Sequence, residues 1–286
     1  MKRLIAVVVL VTFPMALIGA AAPQRAVGIT GQPCPPPAAA AGTLTPRLAR
    51  LLEPGATQLP ADPATAAARQ RTDAERLAND WAQLCRYEAE NRALGSPAAD
   101  EQRVVFMGDS ITEFWKLGDP ALFSAGVIDR GISGQTTGQM LVRFRQDVVA
   151  LEPIAVHIMG GTNDVAGNSG PTTLETVQAN IQSMVELAEA HGIEVILASV
   201  PPAADFPWKP GLDPAPTIAR LNAWLQGYAA GKGIRYVDYH AVLADKALGL
   251  TKTLTNDGVH PNRDGYALMK PLATAAIAAA RGEPRP

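Results

Sequence analysis

The stretch from Val104 to Thr112 reads VVFMGDSIT, an apolar run that passes directly into a Gly-Asp-Ser turn. A short continuous apolar run bounded by a glycine turn predicts a strand that is buried on both faces of a sheet. The turn then presents Ser110 at the carboxyl edge of that sheet, where open α/β sheets hold their ligands. Ser110 is therefore a candidate nucleophile if a base and amide donors lie near it. The structural alternative is that Ser110 caps the helix that follows.

Outward from this strand, short apolar strands alternate with amphipathic helices. The clearest helix runs from Leu174 to Ala190, with Thr172 and Glu175 at capping-box spacing and Gly192 just past its end. Strand and helix repeated in this order predict an α/β domain, a three-layer α/β/α sandwich. The candidate strands are Val104–Met107, Val127–Asp129, Ile154–Met159, Ile193–Val200 and Ile234–Val237.

The first 21 residues have the pattern of a secretory signal peptide. Lys2 and Arg3 precede an apolar stretch from Leu4 to Ile18, and small residues follow it. A membrane anchor is the alternative, but the stretch is short for a span and contains Pro14. We therefore expect an exported protein, periplasmic or secreted, with no stable membrane span after signal cleavage.

Residues 22–100 are predicted to form an N-terminal extension, rich in proline and alanine at first, ahead of a main domain at 101–286. We expect a short helix over Thr45–Leu52 and a longer one near 73–95. The longer helix is predicted because apolar residues recur at helical spacing and would pack on the main domain. These residues are Leu77, Trp81, Leu84 and Tyr87.

The chain has two cysteines, Cys34 and Cys85. In an exported protein we expect them to pair, which would join the extension to the helix that carries Cys85. Two free thiols are the alternative. Neither cysteine has a partner at metal-ligand spacing.

The overall charge excludes one class of partner. The formal net charge is −2, and 47% of the residues are hydrophobic, which is enough for a full core. A near-neutral chain lacks the positive field that attracts a polyanion, so we expect no nucleic-acid partner.

Three further blocks carry polar residues that suit acyl transfer: Gly131–Thr137 (GISGQTT), Gly160–Asp164 (GGTND) and Asp257–Pro261 (DGVHP). Each alone has a structural explanation, as turn glycines, a turn asparagine or a surface capping pair. Together with the serine turn they supply a nucleophile, a base, an acid that orients the base, and amide donors.

The spacing of Asp257 and His260 favours a catalytic pair. Residues three apart share a face of a helical turn, so the carboxylate can bind one imidazole nitrogen and leave the other free for a serine proton. The other histidines are weaker candidates. His157 lies in an apolar strand and is predicted to be a core residue. His191 lies at a helix end and is predicted to cap that helix. His240 follows the last strand but lacks a suitably spaced aspartate.

With all four blocks in order, the region from about Arg103 to Arg281 resembles the SGNH, or GDSL, hydrolase superfamily. The resemblance implies a flavodoxin-like fold with a five-stranded parallel sheet between helices. It also implies a serine esterase that needs no metal or other cofactor. The serine turn lacks the Gly-x-Ser-x-Gly pattern of the α/β-hydrolases, which argues against that neighbouring class.

The same resemblance implies a role for five residues. Ser110 would attack the ester carbonyl and be acylated, while Asp257 orients His260 as general base and then general acid. The backbone N–H groups of Ser110 and Gly134 and the side chain of Asn163 would form the oxyanion hole. Gly134, the second glycine of its block, is chosen because it precedes the Gln-Thr-Thr run as in relatives.

The surroundings of the blocks are most similar to the branch of platelet-activating-factor acetylhydrolases and lysophospholipase-like esterases, which includes bacterial carbohydrate acetylesterases. With the export signal, this implies a small-molecule or glycan ester as partner, and short acyl esters, chiefly acetyl, on carbohydrates as leading substrates. A lysophospholipase or thioesterase for longer chains and a non-catalytic glycan-binding protein are the alternatives. Residues 201–216, with Phe206 and Trp208, are either an ordinary surface loop or a rim of the site.

Overall fold

A computed structural model describes Cys34 and residues 42–57 and 63–283. The predicted signal peptide and the Pro-Pro-Pro and Ala-rich run at 35–41 lie outside the described residues. Within the described ranges, no helix is both long enough and apolar enough to cross a membrane.

Five parallel strands form one sheet in the order β2-β1-β3-β4-β5. This confirms the predicted α/β fold with a five-stranded parallel sheet, although β4 is shorter than the apolar run that predicted it. The first four strands are almost wholly buried, as expected for strands covered by helices on both faces. The strands are β1 (Val104–Gly108), β2 (Val127–Gly131), β3 (Ala155–Met159), β4 (Glu194–Ala198) and β5 (Arg235–Val237).

Helices cover the two faces of the sheet and complete the three layers. The described α-helices are α1 (Pro46–Leu52), α2 (Pro63–Asn79), α3 (Glu88–Leu94), α4 (Ser110–Gly118), α5 (Thr137–Asp147), α6 (Thr162–Val165), α7 (Leu174–Ala190), α8 (Ala215–Lys232), α9 (Tyr239–Leu243) and α10 (Arg263–Ala280). Helices α5, α7 and α8 share one apolar core with Val105 and Met107 of β1. Helices α1, α4, α9 and α10 share the other with Val104 and Phe106, because successive strand residues face opposite sides.

Two glycines bring the polar loops to one level of the sheet edge. Gly108 at the end of β1 is in register with Gly131 of β2 and Met159 of β3. A Cβ atom on Gly108 would lie 2.0 Å from Thr112 Oγ1, and one on Gly131 would lie 2.2 Å from the backbone nitrogen of Glu113. Helix α4 thus packs against both strand ends more closely than any side chain allows. The loops after β1, β2 and β3 therefore emerge side by side.

The single helix predicted near 73–95 is wrong. Helix α2 ends at Asn79, α3 begins only at Glu88, and Cys85 lies in the turn segment between them. The Asp80 carboxylate accepts hydrogen bonds from the backbone N–H groups of Leu84 and Cys85. The two N–H groups thus bond to a side chain instead of to the carbonyls of a helix, which favours a turn at this point.

The predicted apolar stripe of this region is also mostly wrong. Tyr87 is buried, whereas Leu77, Trp81 and Leu84 are exposed, so only one of the four residues packs as predicted. The predicted pairing of Cys34 with Cys85 is confirmed, and their Cα atoms are 5.6 Å apart.

Two other helix predictions are confirmed, one with a correction. Thr45 caps α1, which ends at Leu52 as expected. Helix α7 has the predicted bounds, but its cap is Thr173, whose hydroxyl accepts from the backbone N–H of Thr176. The predicted cap, Thr172, is one position too early for its side chain to reach those amides.

Candidate active site

His260 contacts Ser110 through one imidazole nitrogen and Asp257 through the other. Ser110 Oγ lies 2.9 Å from His260 Nε2, although 150 residues separate the two in sequence. His260 Nδ1 lies 2.7 Å from Asp257 Oδ2. Both imidazole nitrogens therefore have a partner, and Ser110 is only 8% exposed.

The loop that carries Asp257 and His260 is not the helical turn that their spacing suggested. Residues 256–260 form a series of bends between Thr255 and Pro261, which are joined by a β-bridge. Asp257 Oδ1 accepts from the backbone N–H of Val259 and of His260, which folds the loop back on the carboxylate. This turn, rather than a helix face, brings Asp257 Oδ2 to the imidazole.

The opposite charges of His260 and Asp257 each stabilise the ionised form of the other residue. Burial by itself lowers the pKa of His260, but the Asp257 carboxylate, through its charge and its hydrogen bond, raises that pKa above its ordinary value. Burial alone would raise the pKa of Asp257, whereas the His260 charge and three hydrogen bonds lower it to about 2. Asp257 is therefore a carboxylate at neutral pH, and an imidazolium formed on His260 is stabilised.

Ser110 is the first residue of α4, and the residue before it is the cap. Asp109 Oδ1 accepts from the backbone N–H of Ile111 at 2.9 Å, so the alternative in which Ser110 caps the helix is wrong. The first N–H groups of a helix lack intrahelical partners and carry partial positive charge. The Ser110 amide is one of these groups, and it lies beside its own Oγ.

Asn163 and Gly134 lie around the same serine turn. Asn163, on α6, is buried, and its Nδ2 lies 3.2 Å from Asp109 Oδ2 and 3.0 Å from the backbone oxygen of Gln135. These two partners directly precede Ser110 and follow Gly134. Gly134 has a left-handed φ of +80°, and a Cβ there would meet no atom within 4 Å. The structure thus brings all five predicted site residues into one cluster.

Two buried aspartates hold this cluster together. Asp164 accepts from the backbone N–H and the hydroxyl of Thr137, which fastens α6 to the start of α5. Burial raises the pKa of Asp109 to about 6, against the lowering effect of its bond to Ile111 and of the His260 charge. Asp109 organises the turn through its hydrogen bonds with Ile111 and Asn163.

A profile of the GDSL-like Lipase/Acylhydrolase family matches residues 106–268, more than half of the chain. The chain belongs to this family. It is accordingly a carboxylic ester hydrolase, and the superfamily inferred from the four sequence blocks is confirmed.

Solved structures agree with this assignment. A Bacteroides fragilis protein assigned as an acylhydrolase is 47% identical, with a TM-score of 0.68, and the match covers 70% of this chain and 98% of that chain. A GDSL-like lipase from Bacteroides thetaiotaomicron is 45% identical with the same TM-score, over 70% and 100%. An uncharacterized lipoprotein of Bacillus subtilis, YqeF, is 33% identical over 79 residues, or 27% of this chain. That match spans about a third (32%) of the length of the lipoprotein.

In this GDSL-like hydrolase, the N-terminal segment contacts the loop that follows β2, which the sequence did not indicate. Side-chain amides of Gln139 and Gln135 donate to the backbone oxygens of Trp81 and Ala82 at 2.7 and 2.8 Å. Tyr87 donates to the backbone oxygen of Gly131. The segment makes the first two contacts through the backbone carbonyls of Trp81 and Ala82, so its residue types could not have predicted them.

Arg143 is a second element that the sequence analysis missed. Its guanidinium is fully buried and donates to the backbone oxygen of Gly108, to Gln135 and to Asp147. It therefore joins the strand end before Ser110 to the residue after Gly134. The sequence did offer a signal for this residue. Arg143 stands four residues before Asp147, a spacing that allows an ion pair, on a helix whose Met140 and Phe144 lie in the core.

The remaining histidines lie outside the cluster. His157 is fully buried, with Nε2 3.0 Å from Tyr239 Oη, and burial lowers its pKa to about 3. His191 caps the end of α7. Burial lowers the pKa of His240, whose backbone N–H donates to Ser199 Oγ. The described part of the chain contains no group of three or more side chains placed to hold a metal ion.

Proposed function

We propose that the protein is a serine esterase that removes short acyl groups, chiefly acetyl, from carbohydrate esters through an acyl-enzyme intermediate. The observation that carries this proposal is the contact of Ser110 Oγ with His260 Nε2 at 2.9 Å, with Asp257 on the other imidazole nitrogen. With Asp257 ionised, Nδ1 keeps its proton and donates a hydrogen bond to the carboxylate. Nε2 then has a free lone pair directed at the serine hydroxyl.

The proposed reaction has two halves. Ser110 Oγ attacks the ester carbonyl while its proton passes to His260 Nε2, and the leaving alcohol takes that proton as the carbon–oxygen bond breaks. A water molecule then attacks the acyl-serine and gives a proton to Nε2. Cleavage of the acyl–serine bond returns that proton to Ser110 Oγ and releases the carboxylic acid.

The negative charge that develops on the carbonyl oxygen needs amide donors. We assign these to the backbone N–H groups of Ser110 and Gly134 and to Asn163 Nδ2. Asn163 Nδ2 now donates to Gln135 and, over a longer 3.2 Å, to Asp109. The oxyanion would share or replace the longer bond. Loss of one such donor typically costs about 100- to 1,000-fold in rate.

Aromatic side chains near the cluster support a small acyl group on a ring-shaped alcohol. The Phe114 ring lies 5.1 Å, centroid to centroid, from the His260 ring, which limits the space on that side of the base. Trp208 is 43% exposed and stacks on the buried Phe206. It is connected to Asn163 through Asn168. A fixed, exposed aromatic face can pack against the apolar face of a sugar ring.

Export supports an ester outside the cytoplasm. The leader pattern in the first 21 residues and the disulfide between Cys34 and Cys85 are both typical of exported proteins. The Bacillus subtilis relative is described as a lipoprotein. O-acetylated polysaccharide is the substrate class that fits this location and the aromatic face together.

Hydrolysis of p-nitrophenyl acetate, butyrate and decanoate by the wild type and by Ser110→Ala tests the proposal. Ser124→Ala is the matched control, because Ser124 is exposed and its hydroxyl only bonds Ala121 in a turn. We expect activity that falls with chain length, is abolished in Ser110→Ala and is retained in Ser124→Ala. Acetate release from acetylated polysaccharides then tests the alcohol. A preference for decanoate would instead support a lysophospholipase or thioesterase, and activity that survives in Ser110→Ala would overturn the mechanism.

A further inference from the structure

A chain of hydrogen bonds leads from the surface to Asn163. Trp208 Nε1 donates to Asn168 Oδ1 at 3.0 Å, and Asn168 Nδ2 donates to Asn163 Oδ1 at 2.6 Å. Asn163 Nδ2 in turn donates to the Gln135 carbonyl and to Asp109. Every donor in this relay, Trp208 to Asn168 to Asn163, points in the same direction, from the surface toward the serine turn.

The direction is fixed at the surface end. An indole N–H can only donate, so the atom of Asn168 that faces Trp208 must be the amide oxygen. The amide nitrogen of Asn168 then faces Asn163, which must present its own oxygen. A carboxamide has nearly the same shape in either orientation, so shape alone does not select one. The donor-only indole does.

The surface end is held in place by packing. The Trp208 ring stacks on Phe206, which is fully buried, with centroids 5.1 Å apart. The next residue, Lys209, donates from Nζ to the backbone oxygen of Gly167, which directly precedes Asn168. The backbone N–H of Asn168 also donates to the backbone oxygen of Asn163. The two segments are therefore joined by several contacts around the relay.

We propose that Trp208 and Asn168 are positioning residues that set the amide orientation of Asn163, so that Nδ2 rather than Oδ1 faces the developing oxyanion. The inference rests on the proposed role of Asn163 as an oxyanion-hole donor. With the amide reversed, a carbonyl lone pair would face the negative charge, and the donor would be lost at the step where it is needed. Neither residue needs to touch the substrate for this effect.

Two substitutions at Asn168 separate polarity from packing. Asn168→Asp keeps the shape and the acceptor for Trp208, but its carboxylate has no N–H for Asn163 Oδ1 and repels it. We expect kcat to fall by about 100-fold, approaching the loss of an oxyanion-hole donor, with KM nearly unchanged because the bond strengthens only in the transition state. Asn168→Ala removes the partner without repulsion and should cost only about fivefold, as for one ordinary hydrogen bond. A purely structural role predicts the reverse order.

Trp208→Phe tests the indole nitrogen by keeping the ring and removing the donor. We expect kcat on p-nitrophenyl acetate to fall about fivefold. The matched control is Trp224→Phe, because the Trp224 ring stacks on Tyr228 of the same helix, α8, and its indole nitrogen has no part in the relay. Thermal melting of each variant reports whether it is folded.

The inference is overturned if folded Asn168→Asp is at least as active as Asn168→Ala, or if folded Trp208→Phe matches Trp224→Phe. It is supported if the aspartate variant is the slower one, with its loss in kcat. The proposed function fails separately, if Ser110→Ala retains the esterase activity.

Discussion

Tyr87 Oη donates a hydrogen bond of 2.5 Å to the backbone oxygen of Gly131, where β2 ends. The guanidinium groups of Arg86 and Arg130 lie over the same ring, 4.4 and 4.5 Å from its centroid. The tyrosine precedes the region matched by the family profile, which begins at residue 106. The segment ahead of the catalytic domain therefore helps to shape the loop that carries Gly134.

Removal of the Tyr87 hydroxyl should weaken the fold. In Tyr87→Phe, the buried Gly131 carbonyl loses its partner, which typically costs about 1–3 kcal/mol in the free energy of unfolding. Urea unfolding measures this loss, with Tyr228→Phe, a half-buried tyrosine on α8, as the control. Equal stability of the two variants would show that the contact contributes nothing.

The disulfide should stabilise the same segment. Cys34 and Cys85 are separated by 51 residues, and closing a loop of that length contributes about 4 kcal/mol by reducing the entropy of the unfolded chain. We expect dithiothreitol to lower the urea midpoint of the wild type but not that of the double variant Cys34→Ser/Cys85→Ser. An unchanged wild-type midpoint after verified reduction of the disulfide would contradict this expectation.

The rate should depend on pH through His260. Only neutral imidazole can accept the Ser110 proton, so kcat/KM rises as the pH passes the pKa of His260. Asp257 and Asp109 raise that pKa above its ordinary value of 6.5, against burial and the Arg47 charge. A pH profile with p-nitrophenyl acetate should therefore show an acid limb centred above 6.5.

The variant Asp257→Asn tests the cause of this limb. Without the carboxylate, burial dominates, so the limb should move to lower pH, and the rate should fall by up to about 10⁴-fold. A limb that stays in place would mean that another group titrates.

Arg143 and Asp147 should behave as a coupled buried pair. Both side chains are fully buried, with Arg143 Nη1 3.1 Å from Asp147 Oδ2. Arg143→Met leaves the carboxylate without its cation and should cost about 3–5 kcal/mol in unfolding free energy. The double variant Arg143→Met/Asp147→Leu should cost less than the two single changes together, since neither charge is then left alone. Simple additivity in urea unfolding would argue against coupling.

The parts of the fold that could be predicted were those with a local signal. The apolar runs predicted all five strands, and the period of α7 predicted both its ends, because burial on a sheet or a helix face imposes its own spacing. The helix predicted over 73–95 is wrong because the apolar residues there recur at a helical period, while the Asp80 carboxylate binds the backbone N–H groups of Leu84 and Cys85 in a turn. Tertiary contacts there override local propensity.

In the candidate site, too, the features with a local sequence signal could be predicted and the others could not. The residue types, the order of the blocks and the family resemblance predicted a site built from Ser110, Gly134, Asn163, Asp257 and His260, and the catalytic roles of these residues stay predictions. The turn that joins Asp257 to His260 was expected to be helical and is instead folded by backbone N–H groups on the carboxylate. Side-chain spacing constrains which residues can meet, but several backbone conformations satisfy it.

The family, the parallel α/β sheet and the polar groups at its edge all follow from the amino-acid sequence, because burial and chemistry select residue types position by position. The way in which those groups are held follows from tertiary contacts. The buried Arg143, the carbonyls of Trp81 and Ala82, and the relay from Trp208 to Asn163 each join segments that are remote in the chain. Such contacts depend on backbone atoms and on the direction of hydrogen bonds, and residue type predicts neither of them.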